Sequence, residues 1–191
     1  PRVIHPAGIF ESVLSESIAR EIPDGIGPVS LAFLPDMRGV RLRLSARDEP
    51  GGETAQRLLD HAESAVEAVV APYRYRSPEG ELVQAVGEAL LTAGKSLATA
   101  ESCTGGLIAK RLTDRPGSSR YFVGGVVAYA DEVKAGILGV DEALLAREGA
   151  VSPAVAEAMA SGVARALGVA AGIGGTGIAG PEGGTPGKPG G

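Results

Sequence analysis

Apolar residues recur along this chain with a period near four in some stretches and near two in others. Ile9, Val13, Leu14, Ser17 and Ile18 keep helical spacing, and Pro23-Asp24-Gly25 closes that helix. Val29 to Leu34 reads as a strand and Pro35-Asp36-Met37-Arg38-Gly39 as a turn. Val40, Leu42 and Leu44 then alternate with Arg41, Arg43 and Ser45, the pattern of a half-exposed strand. Thr54 to Val70 carries Leu58, Leu59, Ala62, Ala65, Val66 and Val69 on one helical face. These elements predict a small α/β module over residues 1–76, ending in the Pro72-to-Pro78 segment. Arg41, Arg43 and Arg47 share a strand and its end, and read best as a solvated strand face.

From Glu79 the rhythm changes to helices alternating with short buried strands. A helix is predicted over Glu79 to Ala93, with Leu82, Val86, Leu90 and Leu91 inward and Gly94 closing it. Ser96 to Ala100 is a short buried strand. Gly105 to Thr113 is a helix ended by Arg115-Pro116-Gly117, and Tyr121 to Tyr129 is a Val-rich strand. Asp131 to Leu138 is a helix with Asp131 as its cap, and Asp141 to Glu148 a further short one. Ser152-Pro153 opens a helix to about Leu167. Val169 to Gly175 reads as a third strand, expected at the centre of the sheet. The fold class is therefore α/β: a layered helix–sheet–helix domain over residues 77–191, preceded by the small module. No internal repeat is visible.

Composition narrows the function classes. The chain has 191 residues, 44% hydrophobic and 21% charged, which excludes wholesale disorder. Aromatics are 4% with no Trp, and the net charge is −5, so neither a base-stacking platform nor a general polyanion surface is expected. A single cysteine, Cys103, excludes an intrachain disulfide and fits a reducing, cytoplasmic setting. No Cys/His cluster offers a metal site, and no apolar run approaches the roughly 18 residues that span a membrane. The chain starts at Pro1 without Met and stops in a Gly/Pro-rich stretch, so it is expected to be a piece of a longer protein. The sheet is accordingly expected to continue past Gly191 or to meet a partner chain, with Gly183 to Gly191 outside its core.

Two glycine motifs fail on inspection. Gly172-Ile173-Gly174-Gly175-Thr176-Gly177 matches the dinucleotide fingerprint, but the Ile178-to-Gly184 segment after it cannot open the required helix. Gly187-Lys188 imitates the end of a phosphate loop, with Pro189 where the hydroxyl belongs. His5, His61, Lys110 and Arg111 read as structural or solvated.

Two segments carry chemistry. Ala100-Glu101-Ser102-Cys103-Thr104-Gly105-Gly106 joins a buried strand to a helix. That junction exposes a side chain beside helix N–H groups, which bind anions and can stabilise an oxyanion. In Tyr129-Ala130-Asp131-Glu132-Val133-Lys134 a strand ends and the next helix begins. Ser, Tyr and Lys from neighbouring strand ends can converge above a sheet, and a buried lysine can serve as base for a serine hydroxyl. Spacing alone favours the plainer reading, in which Ser102 caps the helix and Lys134 is solvated.

At these residues the chain resembles a known family. Glu101-Ser102-Cys103-Thr104-Gly105-Gly106, Pro116-Gly117-Ser118-Ser119, Val127-Ala128-Tyr129 through Lys134, Gly149-Ala150-Val151-Ser152 and Thr176-Gly177-Ile178-Ala179-Gly180-Pro181 are similar to the C-terminal domain of the competence/damage-inducible protein A (CinA) family. The first module resembles that family's KH-like linker domain. It lacks the GxxG loop of RNA-binding KH domains, so nucleic-acid binding is not carried over. The resemblance implies a nicotinamide-nucleotide amidohydrolase, which converts nicotinamide mononucleotide and water to nicotinic acid mononucleotide and ammonia. It implies Ser102, Tyr129 and Lys134 as catalytic residues.

The expected mechanism needs neither metal nor cofactor. Ser102 attacks the carboxamide carbon, Lys134 takes its proton, and Tyr129 relays or positions. Backbone N–H groups near Thr104, Gly105 and Gly106 hold the oxyanion. The phosphate is expected against Gly117-Ser118-Ser119 or against the Thr176-to-Gly180 loop, with Thr176, Gly177, Ala179 and Gly180. The expected partners are the mononucleotide or a related nucleotide and a second copy of the chain in a homodimer, without membrane or nucleic acid. Two rivals stay open: a nucleotide-binding scaffold with an idle trio, and a cysteine or metal-assisted amidase using Cys103.

Overall fold

The alternation of Val40, Leu42 and Leu44 fits the folded chain, where all three are buried on one side of a strand. The structure is a computed structural model and describes residues 1–36, 39–48 and 52–180. The chain forms two compact units, Pro1–Leu82 and Val83–Gly191.

The first unit runs β1 (Arg2–Pro6), α1 (Glu11–Glu21), β2 (Ser30–Asp36), β3 (Gly39–Ser45), α2 (Ala55–Val70) and β4 (Arg74–Tyr75). Its strands form an antiparallel sheet in the order β2-β3-β1-β4. Ile4, Leu42 and Leu44 meet Leu14 and Ile18 of α1 and Leu58, Leu59, Ala62, Val66 and Val70 of α2 in one core. Thr54 caps α2 by accepting the Arg57 N–H. Three expectations are corrected. β1 and β4 were not predicted, because β1 is five residues ending in proline and β4 only two. Pro35 and Asp36 belong to β2 rather than a turn, paired with Val40 and Gly39; Met37 and Arg38 lie outside the described residues.

The second unit runs α3 (Leu82–Thr92), β5 (Leu97–Glu101), α4 (Leu107–Thr113), β6 (Phe122–Val127), α5 (Asp131–Gly136), α6 (Glu142–Glu148), α7 (Pro153–Leu167) and β7 (Ala171–Gly175). A short 3₁₀ turn, Ser118–Arg120, precedes β6. The three strands are parallel in the order β6-β5-β7. Leu97, Leu112, Tyr121, Ile108 and Ile173 pack with α3 on one face. Ala98, Ala100, Leu138, Val155, Met159 and Val163 pack on the other. This is the layered helix–sheet–helix arrangement.

Several details differ from the sequence expectation. β5 is the central strand and is buried throughout, whereas β7 is half-buried and, among the described residues, an edge. The inward face of α3 is Val83, Val86, Leu90 and Leu91; Leu82, its first residue, is exposed. Gly94 closes α3 in a left-handed conformation (φ +61°), with the Lys95 N–H reaching back to the Leu90 carbonyl. Ser152 caps α7 as expected, and Asp141, read as the first residue of the short helix, is the N-cap of α6. Asp131 is not a cap: Ala130 holds that position, and the Asp131 carboxylate accepts from Lys134 instead. Gly183 to Gly191, including Gly187-Lys188, lie outside the described residues. No described helix is long and apolar enough to cross a membrane.

Candidate active site

Strand order places the site before any side chain is considered. The chain leaves β5, returns through α4 to β6, and then crosses beneath β5 through α5, α6 and α7 to reach β7. β5 and β6 are thus neighbours whose outgoing connections, α4 after β5 and α5 to α7 after β6, lie on opposite faces. In open α/β sheets, ligands bind outside the carboxyl ends of strands at such a switch point. The loops there are Ser102–Gly106 after β5 and Ala128–Ala130 after β6, with Thr176–Gly180 after β7 on the other side of β5.

Backbone geometry pins the first loop. The Ser102 N–H donates to the Gly175 carbonyl at 2.8 Å, and the Ala128 N–H donates to the Glu101 carbonyl at 2.7 Å. The ladder therefore runs one bond beyond β5 on both sides and ties the three strand ends together. Gly105 (φ +60°) and Gly106 (φ +100°) then turn the chain into α4 through left-handed conformations that disfavour other residues. Gly106, not Ser102, is the N-cap of α4.

The α4 amides are already occupied. Glu101, 1% exposed, accepts the Ala109 N–H at 2.8 Å, the Ile108 N–H at 2.9 Å and the Thr104 hydroxyl at 2.7 Å. Burial pushes its carboxyl up. The Ala109 amide, the Thr104 hydroxyl and the Ile108 amide outweigh that and hold it below its ordinary value near 4.5. The expectation that helix amides face the substrate is thus corrected. Among the described residues, the N–H groups left without an acceptor in this turn are those of Cys103, Thr104 and Gly106.

Glu101 was overlooked in the sequence, although a signal existed. A carboxylate directly after the apolar run Leu97 to Ala100 demands partners once buried. Its depressed value adds stability above the ordinary carboxylate range, and that stability is lost as pH falls through the folded value. Glu101→Gln is expected to cost about 1–3 kcal/mol at pH 7. Thermal melts of both proteins should converge as pH drops below about 4.5; an unchanged gap in acid would contradict this.

The other expected residues divide. Ser102 is 7% and Lys134 1% exposed. The Lys134 ammonium donates to the Tyr129 carbonyl at 2.9 Å and to Asp131 Oδ1 at 3.0 Å. No hydrogen bond joins Ser102 and Lys134 directly among the described residues. Tyr129 meets Lys134 through its backbone, and the residue is 76% exposed. The Thr176 hydroxyl donates to the Ala150 carbonyl at 2.8 Å, fastening the loop after β7 to the segment before α7. A Cβ on Gly177 would lie 3.0 Å from Cys103 Sγ, so the two loops touch there. Ala179 is exposed and Gly180 half-buried.

Ser118 and Ser119 are separated from this group. They lie in the 3₁₀ turn before β6, at the amino ends of the parallel strands, where the Leu97 N–H meets the Tyr121 carbonyl. About 16 Å of strand separates the two ends of the sheet. Among the described residues no group of three or more His, Cys, Asp or Glu side chains could hold a metal ion.

Residues 79–191 match the CinA C-terminal domain and residues 1–75 the damage-inducible protein CinA KH domain. The chain belongs to the CinA family. It is 47% identical over 189 residues to a CinA-like protein of Salinibacter ruber, covering 98% of this chain and 45% of that protein. A CinA-like protein of Chloroherpeton thalassium is 48% identical over 189 residues, covering 96% and 43%. The chain thus spans under half the length of these curated relatives. Among solved structures, the competence damage-inducible protein A (ComA) of Klebsiella pneumoniae is 41% identical, with a TM-score of 0.52 over 55% of this chain and 65% of that one. The CinA superfamily protein of Escherichia coli is 38% identical, with a TM-score of 0.54 over 57% and 63%.

Proposed function

We propose that this chain hydrolyses the carboxamide of nicotinamide mononucleotide to nicotinic acid mononucleotide and ammonia, with Ser102 as nucleophile and Lys134 as base. The observation that carries this reading is the setting of the Lys134 amine. It is buried, and two acceptors, the Tyr129 carbonyl and Asp131, engage two of its N–H bonds. One tetrahedral position is left, and in the neutral amine that position is the lone pair. A buried amine oriented in this way is suited to take a proton from the Ser102 hydroxyl when substrate is bound.

In the first step the Ser102 oxygen bonds to the carboxamide carbon and its proton passes to Lys134. The amides of Cys103, Thr104 and Gly106, which follow the nucleophile and, among the described residues, have no acceptor of their own in the turn, receive the oxyanion. Lys134 returns the proton to the departing nitrogen, and ammonia leaves. Water then attacks the ester, giving up a proton to Lys134, which restores it to Ser102. Tyr129 acts through its carbonyl as a positioning group. The phosphate is assigned to the Thr176-to-Gly180 loop rather than to Ser118 and Ser119, which lie at the other end of the strands.

Ammonia release from the mononucleotide, compared with free nicotinamide, tests the reading; a folded chain that binds the nucleotide without releasing ammonia would make it a scaffold. Lys134→Arg keeps the charge, but a guanidinium cannot give up its proton in this range. Lys134→Arg and Lys134→Met are both expected to lose about 10²–10⁴-fold in kcat. A largely active Lys134→Arg enzyme, with only Lys134→Met raising KM, would make Lys134 a substrate holder instead.

A further inference from the structure

Burying a carboxylate at the end of a central strand is unfavourable unless the charge is met by donors. Glu101 meets it with three, and all belong to the stretch that follows Ser102. The Thr104 hydroxyl lies inside the turn, and the Ile108 and Ala109 amides lie in the first turn of α4. One side chain on β5 therefore fastens both the turn and the helix after it to the strand before it. The Ser102 backbone is held independently through Gly175, so the turn is anchored at both its ends. The same contacts withdraw the α4 amides from any incoming anion.

We propose that Glu101 is a positioning residue, clamping the Ser102–Gly106 turn so that the Cys103, Thr104 and Gly106 amides face the oxygen that gains charge during the reaction. The choice of that oxygen rests on the amidohydrolase reading; the clamp itself does not. Glu101 touches no reacting atom in this scheme. Replacing it with Gln puts an NH₂ group against donors, because a carboxamide has one acceptor oxygen where the carboxylate has two.

The test uses the 191-residue chain and two readouts on Glu101→Gln. Backbone amide exchange followed by NMR should show Ile108 and Ala109 exchanging about 10-fold faster or more, with altered exchange at Cys103 to Gly106 and little change in α7. In ammonia release from nicotinamide mononucleotide, kcat should fall about 10²-fold while KM stays within about threefold. A purely structural role would lower the melting temperature and leave kcat per folded molecule unchanged, which overturns the proposal. Unchanged exchange across residues 103–109 overturns it as well. If the wild-type chain releases no ammonia, the amidohydrolase reading falls, and the exchange arm still decides the clamp. Should Glu101→Gln not fold, Thr104→Val removes one donor of the three. A fall in kcat of about 10-fold at constant KM then supports the clamp, whereas a change in KM alone makes Thr104 a substrate contact and overturns it.

Discussion

Ser102→Ala is expected to abolish ammonia release while leaving stability almost unchanged. The structural reason for the second half is that Ser102 has no capping duty: Gly106 is the N-cap of α4, and Glu101 holds the amides a cap would serve. Ser102 itself is anchored through its backbone N–H to Gly175, which alanine preserves. The change should therefore cost no more than about 1 kcal/mol. For activity, loss of a nucleophile that works as a unit with its base is expected to lower kcat by about 10⁴-fold or more, leaving what the turn amides and binding provide. Kinetics beside a thermal melt measure both halves. Activity near wild type would remove Ser102 as nucleophile, and a trapped acyl group found on Cys103 by mass spectrometry would move that role one residue along.

What could be read in advance follows the strength of local signals. α6 and α7 were legible because Asp141 and Ser152-Pro153 are caps whose side chains act within three residues. β1 and β4 were not, since β1 pairs with β3 and with β4, joining residues far apart in the chain. The centrality of β5 over β7 was obscured because both are short apolar runs, and apolarity does not say which strand has neighbours on two sides.

The site was legible at the level of the loops and not at the level of the contacts. Ser102, Lys134 and Thr176 lie at the carboxyl ends of parallel strands or just beyond them, as strand-to-helix junctions require. Ser118 and Ser119 follow a helix and precede a strand, and alternation of helix and strand already consigns such a loop to the opposite end of the sheet. Glu101 was hidden because its partners, Ile108 and Ala109, are backbone groups that no residue type announces.

Gly174→Ala is expected to destabilise the second unit more than any loop change considered above. A Cβ there would lie 2.0 Å from the Ala156 carbonyl oxygen and 2.9 Å from the Ala160 nitrogen. Gly172 stands 2.0 Å, by the same measure, from the Ala160 carbonyl oxygen. Residues two apart on a strand share a face about 6.6 Å apart. Residues four apart on a helix rise about 6 Å. The Gly172–Gly174 repeat thus matches the Ala160–Ala156 repeat, and α7 rests backbone-on-backbone against β7. This gives the fingerprint-like glycines a use that involves no dinucleotide. Because the obstructing atoms are main chain, no rotamer change relieves the clash, and α7 must lift from the sheet. Overpacking of this kind costs about 3 kcal/mol or more, which for a unit of roughly 100 residues lowers Tm by at least about 10 °C. Gly136→Ala is the control: nothing lies within 4 Å of a Cβ there, and its Tm should stay within about 3 °C of wild type. Calorimetry on both variants separates the outcomes. A Gly174→Ala chain melting with the control would mean that α7 does not press on β7 as described.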